Sequence, residues 1–259
     1  MLEFTLITCH YGDTYWVTSL LKSLSESSED LEFIVLDNSG NYPNTVSSQH
    51  KLNLTVVNMT AIAQGTGSEN HASSLNWALR NLDLSGSQIL ILDSDMVVLQ
   101  ESNFISNLKQ LVKENECIVA LQEGSKYLSH PCFMTFPKQI AKQLDFMEGM
   151  REFGFDTGRL IGLQLRKMGF LVKKVEAERN PFASIGYFYS SLGAVHLTSS
   201  SLQFLPSRLS RRNSLWFLKQ IARKQIHTCV QTNRKFGAKD LLIVFVRSIS
   251  LKIKKRNIF

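Results

Sequence analysis

The stretch that most constrains this chain runs from Ile89 to Leu99, where one apolar run leads into Asp93-Ser94-Asp95 and a second apolar run follows. A short continuous apolar run is typical of a strand buried on both faces, as in a parallel sheet covered by helices. Unpaired carboxylates are costly to bury, so we expect both aspartates at the exposed carboxyl end of that strand. Open α/β sheets bind their ligands at this edge.

The two aspartates also have the chemistry of a metal site. Alternate residues of an extended segment point the same way, so Asp93 and Asp95 can both face one bound ion. Carboxylate oxygens suit Mg²⁺ or Mn²⁺. The tripeptide fits equally well a polar turn in which Asp93 caps a following helix.

The residues around this stretch alternate between strand and helix patterns, with polar residues where the strands end. The spacing of apolar residues predicts helices around Leu20 to Leu24 and over residues 71–82, 101–115 and 159–168. The order β-α-β-β-α-β predicts an α/β fold, a single domain with a mostly parallel central sheet flanked by helices. Strand patterns cover residues 3–9, 31–37, 54–58, 118–122, 130–136, 171–175 and 193–201, the last of these leaving into a polar loop.

Charge divides the chain into two parts. Residues 207–259 contain 14 Lys and Arg against one acidic residue, Asp240, whereas residues 1–206 contain 15 basic and 21 acidic residues. We therefore predict a mildly acidic domain over residues 1–206 and a basic helical extension over residues 207–259, with the boundary at Pro206 to Arg212. Such asymmetry predicts an anionic partner for the extension, either a membrane surface or a nucleic acid.

The extension has the composition of an interfacial anchor. Residues 214–226 predict an amphipathic basic helix, and the apolar run 241–246 is followed by several cations. Apolar and aromatic residues beside many cations are typical of a peripheral membrane segment. The alternative is that residues 241–251 pack on the domain and that the charges are merely solvated. The extension contains no recognised nucleic-acid-binding motif, so we expect no nucleic-acid partner.

Cysteine usage and hydropathy predict a cytoplasmic location. The four cysteines form no CxxC pair, so neither a zinc site nor a disulfide framework is indicated, and a reducing compartment is expected. The chain begins without a basic segment before its first apolar run, so we expect no signal peptide. Its apolar runs are shorter than the roughly 18 residues of a membrane span.

Taken together, the strand ends resemble those of family-2-like glycosyltransferases of the GT-A fold, over about residues 3–200. The order and spacing of the pieces carry the resemblance more than any single motif does. The matching pieces are Leu6 to Gly12, Asp37-Asn38-Ser39, Ser68 to Asn76, Asp93-Ser94-Asp95, Phe155 to Gly158, Leu165 to Phe170 and the late His196.

The resemblance implies a nucleotide-diphosphate sugar as donor, a divalent cation (Mn²⁺ or Mg²⁺) and inverting transfer of the sugar. Asp95 would bind the cation directly, and Asp93 would lie nearer the ribose or act through water. His196 would complete the metal site or touch the diphosphate. His71 lies at a predicted helix N-terminus, which attracts phosphate oxygens. The residues implied for the nucleotide-sugar are Thr8, Cys9, His10, Tyr11, Asp37, Asn38, His71, Asn76, Asp93 and Ser94.

Inverting transfer also needs a base for the acceptor hydroxyl. Members of the family usually draw it from an acidic pair in the acceptor half, which this sequence lacks at the expected place. We assign Asp156 to this role, with Glu148 in reserve. Each assignment has a structural alternative. Asp37 can simply form a turn, His71 can cap its helix, Asp156 can be the N-cap of the next helix and His196 can be a buried strand residue.

Other functions compete with glycosyl transfer. A nucleotidyltransferase can share the sheet and the acidic motif, but such enzymes generally carry a glycine-rich loop with a basic residue after the first strand, and Cys9 to Thr14 lacks that residue. A nucleic-acid-binding protein acting through the extension and a non-catalytic binding module are further alternatives. As a glycosyltransferase the protein would lie at the inner face of the cell membrane, with a lipid-linked glycan or lipopolysaccharide as acceptor.

Overall fold

The computed structural model describes residues 3–25, 31–42, 53–65, 67–99, 103–114, 116–121, 128–182, 187–197 and 216–256. The chain divides into two compact units. Unit 1 comprises Met1–Met96 and Asn103–Ala177, and unit 2 comprises Val97–Ser102 and Glu178–Phe259. The boundary that the sequence predicts at Pro206 to Arg212 lies outside the described residues.

Strands and helices alternate through unit 1, as the apolar patterns predict. The strands within the described residues are β1 (Phe4–His10), β2 (Leu31–Asp37), β3 (Asn53–Asn58), β4 (Gln88–Leu92), β5 (Met96–Val98), β6 (Cys117–Leu121), β7 (Ser129–Pro137), β8 (Val172–Val175), β9 (Glu178–Arg179), β10 (Tyr187–Tyr189) and β11 (Ala194–His196). The helices are α1 (Thr14–Ser25), α2 (Ser68–Asn81), α3 (Phe104–Glu114), α4 (Met150–Phe153), α5 (Ile161–Lys167), α6 (Trp216–Gln231) and α7 (Ala238–Arg256), with a 3₁₀ helix over Lys138–Gln143.

Unit 1 is built on a seven-stranded sheet with the order β3-β2-β1-β4-β7-β6-β8. Neighbouring strands pair in parallel except at β7, which is antiparallel to both β4 and β6. Every residue of β2 is buried, as expected for a strand covered on both faces. The predicted fold class, a mostly parallel central sheet flanked by helices, is confirmed.

Helix α2 covers one face of this sheet. Its residues Ala72, Leu75 and Leu79 belong to the same buried cluster as Ile7 of β1 and Ile89 of β4. The i, i+3, i+7 spacing of the three helical residues places them on one face of α2, which is why the sequence pattern predicted the helix.

A buried carboxylate fastens the amino-terminal edge of the sheet. Glu32 of β2 accepts hydrogen bonds from Thr5 Oγ1 at 2.5 Å, from Ser85 N at 2.9 Å and from Ser85 Oγ at 3.0 Å. Thr5 Oγ1 in turn accepts the Gly86 amide at 2.8 Å. Gly86 is required here because a Cβ atom at this position would overlap the backbone of Phe4 and Thr5. The turn that leads into β4 is thereby held against β1 and β2.

Unit 2 combines a small sheet with two helices. Its strands are ordered β5-β11-β10-β9, and helices α6 and α7 follow in the chain. Arg223 of α6 donates to the carbonyl of Leu197 at 2.7 Å, and Phe236 N donates to the carbonyl of Phe182 at 2.8 Å. These bonds tie the basic extension to the strand segments of unit 2. In the described part of the chain, no helix has the length and apolarity needed to span a bilayer.

Candidate active site

The Asp93 segment lies at the predicted edge of the sheet. Strands β1, β2 and β4 are parallel neighbours, so His10, Asp37 and Leu92 end their strands at the same edge. Asp93 follows Leu92 directly, and its amide donates to the carbonyl of Cys132 on β7 at 3.1 Å. The position predicted for the acidic motif is confirmed.

The backbone of the motif is a turn, which corrects the expectation of an extended segment. The amide of Met96 donates to the carbonyl of Asp93 at 3.0 Å, and strand β5 begins immediately. Because a strand follows, the interpretation of Asp93 as a helix cap is wrong. Even so, carboxylate oxygens of Asp93 and Asp95 lie within 4.8 Å of each other, and both side chains are only half-buried. Ser94 lies between them in the turn.

Helix α2 brings His71 to this turn. His71 Nε2 lies 3.8 Å from Asp93 Oδ1, and the two side chains are 22% and 17% exposed. His71 N bonds to the carbonyl of Gly67 and so belongs to the first turn of the helix. The sequence predicted the helix start and the acidic motif separately, and the structure places them side by side.

Cys9 also lies near Asp93. Desolvation of its thiol, and then the negative charge of Asp93, raise the pKa of Cys9 well above its usual range. The thiol therefore stays protonated at neutral pH and offers no thiolate to a metal or a substrate. A contact between this segment and a nucleotide stays a prediction.

Asp37 organises the turn that follows β2. Its Oδ1 accepts hydrogen bonds from Ser39 N, Ser39 Oγ and Gly40 N at 3.0, 2.8 and 3.1 Å, and its Oδ2 accepts Tyr42 N at 2.9 Å. Burial opposes ionisation, but the hydrogen bonds from Tyr42 and Ser39 lower the pKa of Asp37. This geometry agrees with the turn-forming alternative. A role in binding the base or ribose stays a prediction.

Residues of the Asp37 turn contact the end of β1, where the next loop begins. His10 Nε2 lies 3.1 Å from Asn41 Oδ1, and the His10 ring stands edge-on to Tyr42 with the centroids 5.3 Å apart. Thr8 and His10 are buried, whereas the side chain of Tyr11 is 77% exposed. Tyr11 is thus the residue of this loop that presents a ring to solvent.

Asn38 and Asn76 are engaged within the protein. Asn38 Oδ1 accepts Ser74 Oγ at 2.7 Å, which connects the Asp37 turn to α2. Asn76 Nδ2 donates to Asp145 Oδ1 at 2.7 Å, and Asn76 Oδ1 accepts Phe146 N at 2.9 Å. Both ends of the Asn76 amide therefore hold the turn at residues 145–147, so α2 positions that turn. The implied contacts with a donor stay predictions.

The candidate base lies beside the start of α2. Thr157 Oγ1 donates to the carbonyl of Ser68 at 2.7 Å, and Gly158 N donates to the carbonyl of Phe146 at 2.9 Å. Asp156 precedes this clamp, and its Oδ1 accepts Thr157 N at 2.9 Å. The residue that caps α5 is Leu160, so the interpretation of Asp156 as the N-cap of that helix is wrong.

Sequence reasoning missed Arg159. Burial lowers the pKa of its guanidinium and the carboxylate of Asp156 acts in the opposite direction, so the two groups are close in space. Among the described residues, Arg159 Nη1 is buried and has no hydrogen-bond partner. The sequence offered one signal for Arg159, which is its position three residues after the candidate base Asp156. The reserve base, Glu148, is half-buried in the turn before α4.

Asp145 was also missed. Its backbone amide donates to Gln164 Oε1 at 2.9 Å and its carbonyl accepts Gln164 Nε2 at 2.8 Å, so α5 holds the same turn that Asn76 holds from α2. Nothing in the sequence around Asp145 distinguishes it from a surface carboxylate.

His196 belongs to unit 2. It ends β11, pairs with Tyr187 of β10 and is buried. The carbonyl of the next residue, Leu197, is the one held by Arg223. The polar loop predicted at residues 198–201 lies outside the described residues, and a metal-binding role for His196 stays a prediction.

The order of the sheet and the acidic turn at its carboxyl edge define the class of fold, which is GT-A-like. No protein-family model and no curated protein matches the chain. Among solved structures it is similar to the mannosyltransferase PcManGT from Pyrobaculum calidifontis in complex with GDP-Man and Mn²⁺, with a TM-score of 0.54 and 14% identity over 93% of this chain and 67% of that chain.

A second similar protein is TarS from S. aureus. The structure of TarS with UDP gives a TM-score of 0.51 and 15% identity, over 87% of this chain and 65% of that chain. The protein thus spans about two thirds of the length of either structure. At these identities the likeness is one of fold, and it confirms the GT-A-like architecture.

Proposed function

We propose that this protein is a metal-dependent glycosyltransferase that moves a sugar, with inversion, from a nucleotide-diphosphate sugar to an acceptor hydroxyl. One observation carries the proposal. In a GT-A-like sheet, the Asp93–Asp95 turn follows β4 at the carboxyl edge, and His71 at the start of α2 lies 3.8 Å from Asp93. Two carboxylates that can bind a cation and a helix N-terminus that can bind phosphates therefore lie together at the edge where α/β sheets bind ligands.

The donor set fits a hard divalent cation. Two carboxylates whose oxygens lie within 4.8 Å of each other, both partly exposed, suit Mg²⁺ or Mn²⁺, which take oxygen ligands and keep positions for water and phosphate. Asp95 is the proposed direct ligand, Asp93 the second, and His196 the third. When bound, the cation supplies positive charge that stabilises the departing nucleoside diphosphate. The fold shared with the TarS structure with UDP and the PcManGT structure with GDP-Man and Mn²⁺ supports a nucleotide-sugar donor and a divalent cation in general.

The proposed nucleotide contacts lie along the same edge. The segment from Thr8 to Tyr11 and the turn at Asp37-Asn38 frame the base and ribose, and exposed Tyr11 offers a ring to stack on the base. Imidazole and backbone amides at the start of α2 face the phosphates. The Asn76 amide would support this site indirectly, because it holds the turn at residues 145–147.

Asp156 is the proposed base for the acceptor hydroxyl, with Glu148 in reserve. The bond from Thr157 to Ser68 fastens the Asp156 segment to the helix that also carries His71. The carboxylate of Asp156 acts on the half-buried guanidinium of Arg159, so a cation lies near the proposed base. The basic extension supports the proposed peripheral location at the inner face of the cell membrane and an acceptor carried on a lipid.

Calorimetric titration of the full chain with UDP, GDP and CDP sugars, with and without Mn²⁺, tests the donor site. We expect binding of one of these donors to require the metal, and Asp95→Ala to weaken it at least about tenfold. Asp83→Ala is the matched control, because the Asp83 side chain is fully exposed and lies 3.8 Å from Lys138. Equal affinity of the Asp95 and Asp83 variants would show that Asp95 is not a ligand.

Transfer assays separate the base from the donor site. We expect Asp156→Asn to bind the donor like the wild type but to lose roughly 10²- to 10⁴-fold in transfer rate, the usual contribution of a general base. If Asp156→Asn transfers the sugar at the wild-type rate, Asp156 is not the base. Glu148 then becomes the candidate, and the transfer rate of Glu148→Gln tests it.

A further inference from the structure

Helix α6, the first of the two segments that the sequence predicts as an interfacial anchor, buries its apolar face. Ile221, Ala222 and Ile226 are at most 8% exposed, and Cys229 and Val230 continue the same buried face. The i, i+1, i+5, i+8, i+9 positions share one side of a helix, which explains the amphipathic pattern. Helix α6 therefore cannot enter a membrane without leaving its place in unit 2.

Helix α7 has the opposite property. Leu241, Leu242, Phe245 and Val246 are exposed by 38%, 65%, 63% and 53% of their surface, while Val244 on the other side of the helix is buried. The four residues occupy positions i, i+1, i+4 and i+5, so they form one continuous apolar face. We call these four residues the α7 face. An exposed apolar patch on one helix marks an interaction surface.

The charges around the α7 face specify the partner. Asp240 is the sole acidic residue of residues 207–259, and it is buried and paired with Arg234 at 2.7 Å. Lys239 and Arg247, which flank the face along the helix, are exposed, and residues 247–256 contain five Lys and Arg and no acid. Two exposed cations therefore border the apolar residues. A second copy of the chain would present the same positive charge, which disfavours self-association through this face.

We propose that the α7 face docks on a bilayer containing anionic phospholipid, with Leu242 and Phe245 in the headgroup–acyl boundary and Lys239 and Arg247 among the headgroups. Apolar burial and attraction to anionic lipid act together in such helices. The inference goes beyond glycosyl transfer, because it concerns a surface of unit 2 and requires no sugar chemistry. It assigns membrane contact to α7 and leaves α6 as part of the folded unit.

Vesicle flotation with the full chain tests the proposal. The probes are vesicles of phosphatidylcholine alone and vesicles with about a third phosphatidylglycerol, each in low and high salt. We expect binding to the anionic vesicles that falls with salt, and Phe245→Glu to weaken it about tenfold or more, since an aromatic side chain loses its apolar burial and a negative charge is added. Leu242→Glu should behave in the same way.

Leu171→Glu is the matched control, because Leu171 is 61% exposed, lies in unit 1 and receives the same change of charge. Circular dichroism checks that all three substitutions leave the fold intact. Equal binding of Phe245→Glu and Leu171→Glu, or no binding of the wild type to anionic vesicles, would overturn the proposal. So would a concentration-dependent dimer that Phe245→Glu abolishes, since the face would then be a self-interface. Donor titrations are independent of all these outcomes, so failure here leaves the proposed catalysis untouched.

Discussion

The buried carboxylate of Asp240 is expected to hold the two helices of unit 2 together, and Asp240→Ala should destabilise them strongly. Its oxygens accept Arg234 Nη1 and Nη2 at 2.8 and 2.7 Å, Gln225 Nε2 at 2.8 Å and Gly237 N at 2.9 Å. The last bond satisfies an amide at the start of α7, as the acidic residue of a capping box does. Chiefly through the Arg234 hydrogen bonds, the pKa of Asp240 lies well below its usual range, so the carboxylate is charged at neutral pH.

The expected loss of folding free energy depends on whether each partner of Asp240 can find another hydrogen-bond acceptor. Gln225 is 4% exposed, so its amide loses a charged acceptor without access to water, at about 1.5–3 kcal/mol. Loss of the bond to Gly237 N removes a helix cap, at about 0.5–2 kcal/mol. Arg234 is 44% exposed and regains water, so its pairing adds only about 0–1 kcal/mol. Together we expect a loss of about 2–6 kcal/mol, a range centred on the values for broken buried pairs.

Hydrogen exchange measured by mass spectrometry reports this loss locally. We expect peptides from α6 and α7 to lose about 10²- to 10³-fold in protection, since each 1.4 kcal/mol is about a factor of ten. Asp83→Ala, the same substitution at an exposed ion pair, should leave protection in both helices unchanged. Protection of α6 and α7 in Asp240→Ala within about threefold of the wild type would refute the reasoning, because an intact hairpin cannot have lost interactions of this size.

Three further perturbations test other parts of the fold. Glu32→Gln replaces a carboxylate oxygen that accepts Ser85 N by an amide group that can donate, and should lower the free energy of unfolding, measured in urea, by about 1–3 kcal/mol. Glu3→Gln, at the exposed ion pair with Lys109, is the control and should change this free energy by less than about 1 kcal/mol. Gly86→Ala should destabilise by more than about 1 kcal/mol, because the added methyl overlaps backbone; a melting temperature equal to that of the wild type would contradict the close approach. Burial lowers the pKa of His227 to about 4. As the pH falls below about 6.5, the unfolded chain therefore takes up a proton at this histidine before the folded chain does. The free energy of unfolding should decline by up to about 3 kcal/mol from pH 6.5 to 4, and the decline should be smaller in His227→Gln.

The sheet was predictable because its signals are local. Continuous apolar runs identified β1, β2 and β4, and the polar residues that follow them had to lie where the backbone reaches solvent. Asp37 followed by Asn-Ser-Gly predicted its turn for the same reason, since an aspartate bonds to amides two and three residues ahead of it. The helix start near His71 was equally legible from the spacing of apolar residues.

Partners distant in the chain were not predictable. The antiparallel direction of β7 is invisible in an apolar run, which has the same pattern in either direction. Glu32 had no local signal, because its partners Thr5 and Ser85 are 27 and 53 residues away. The amide of Asn76 suits a ligand as well as it suits the backbone of Phe146, and only the fold selects between them. Likewise, the amphipathic pattern of α6 showed an apolar face but not what covers it.

The division of unit 2 in the sequence has a consequence for synthesis on the ribosome. Its first segment, Val97–Ser102, is made long before Glu178–Phe259, and the bonds from Arg223 to Leu197 and from Phe236 to Phe182 need residues of α6 and of the segment that follows it. The strand β5 must therefore wait for most of the chain before its sheet is complete. Since contacts between distant segments form slowly, the sheet of unit 2 should be completed only after residues 178–236 have been synthesised.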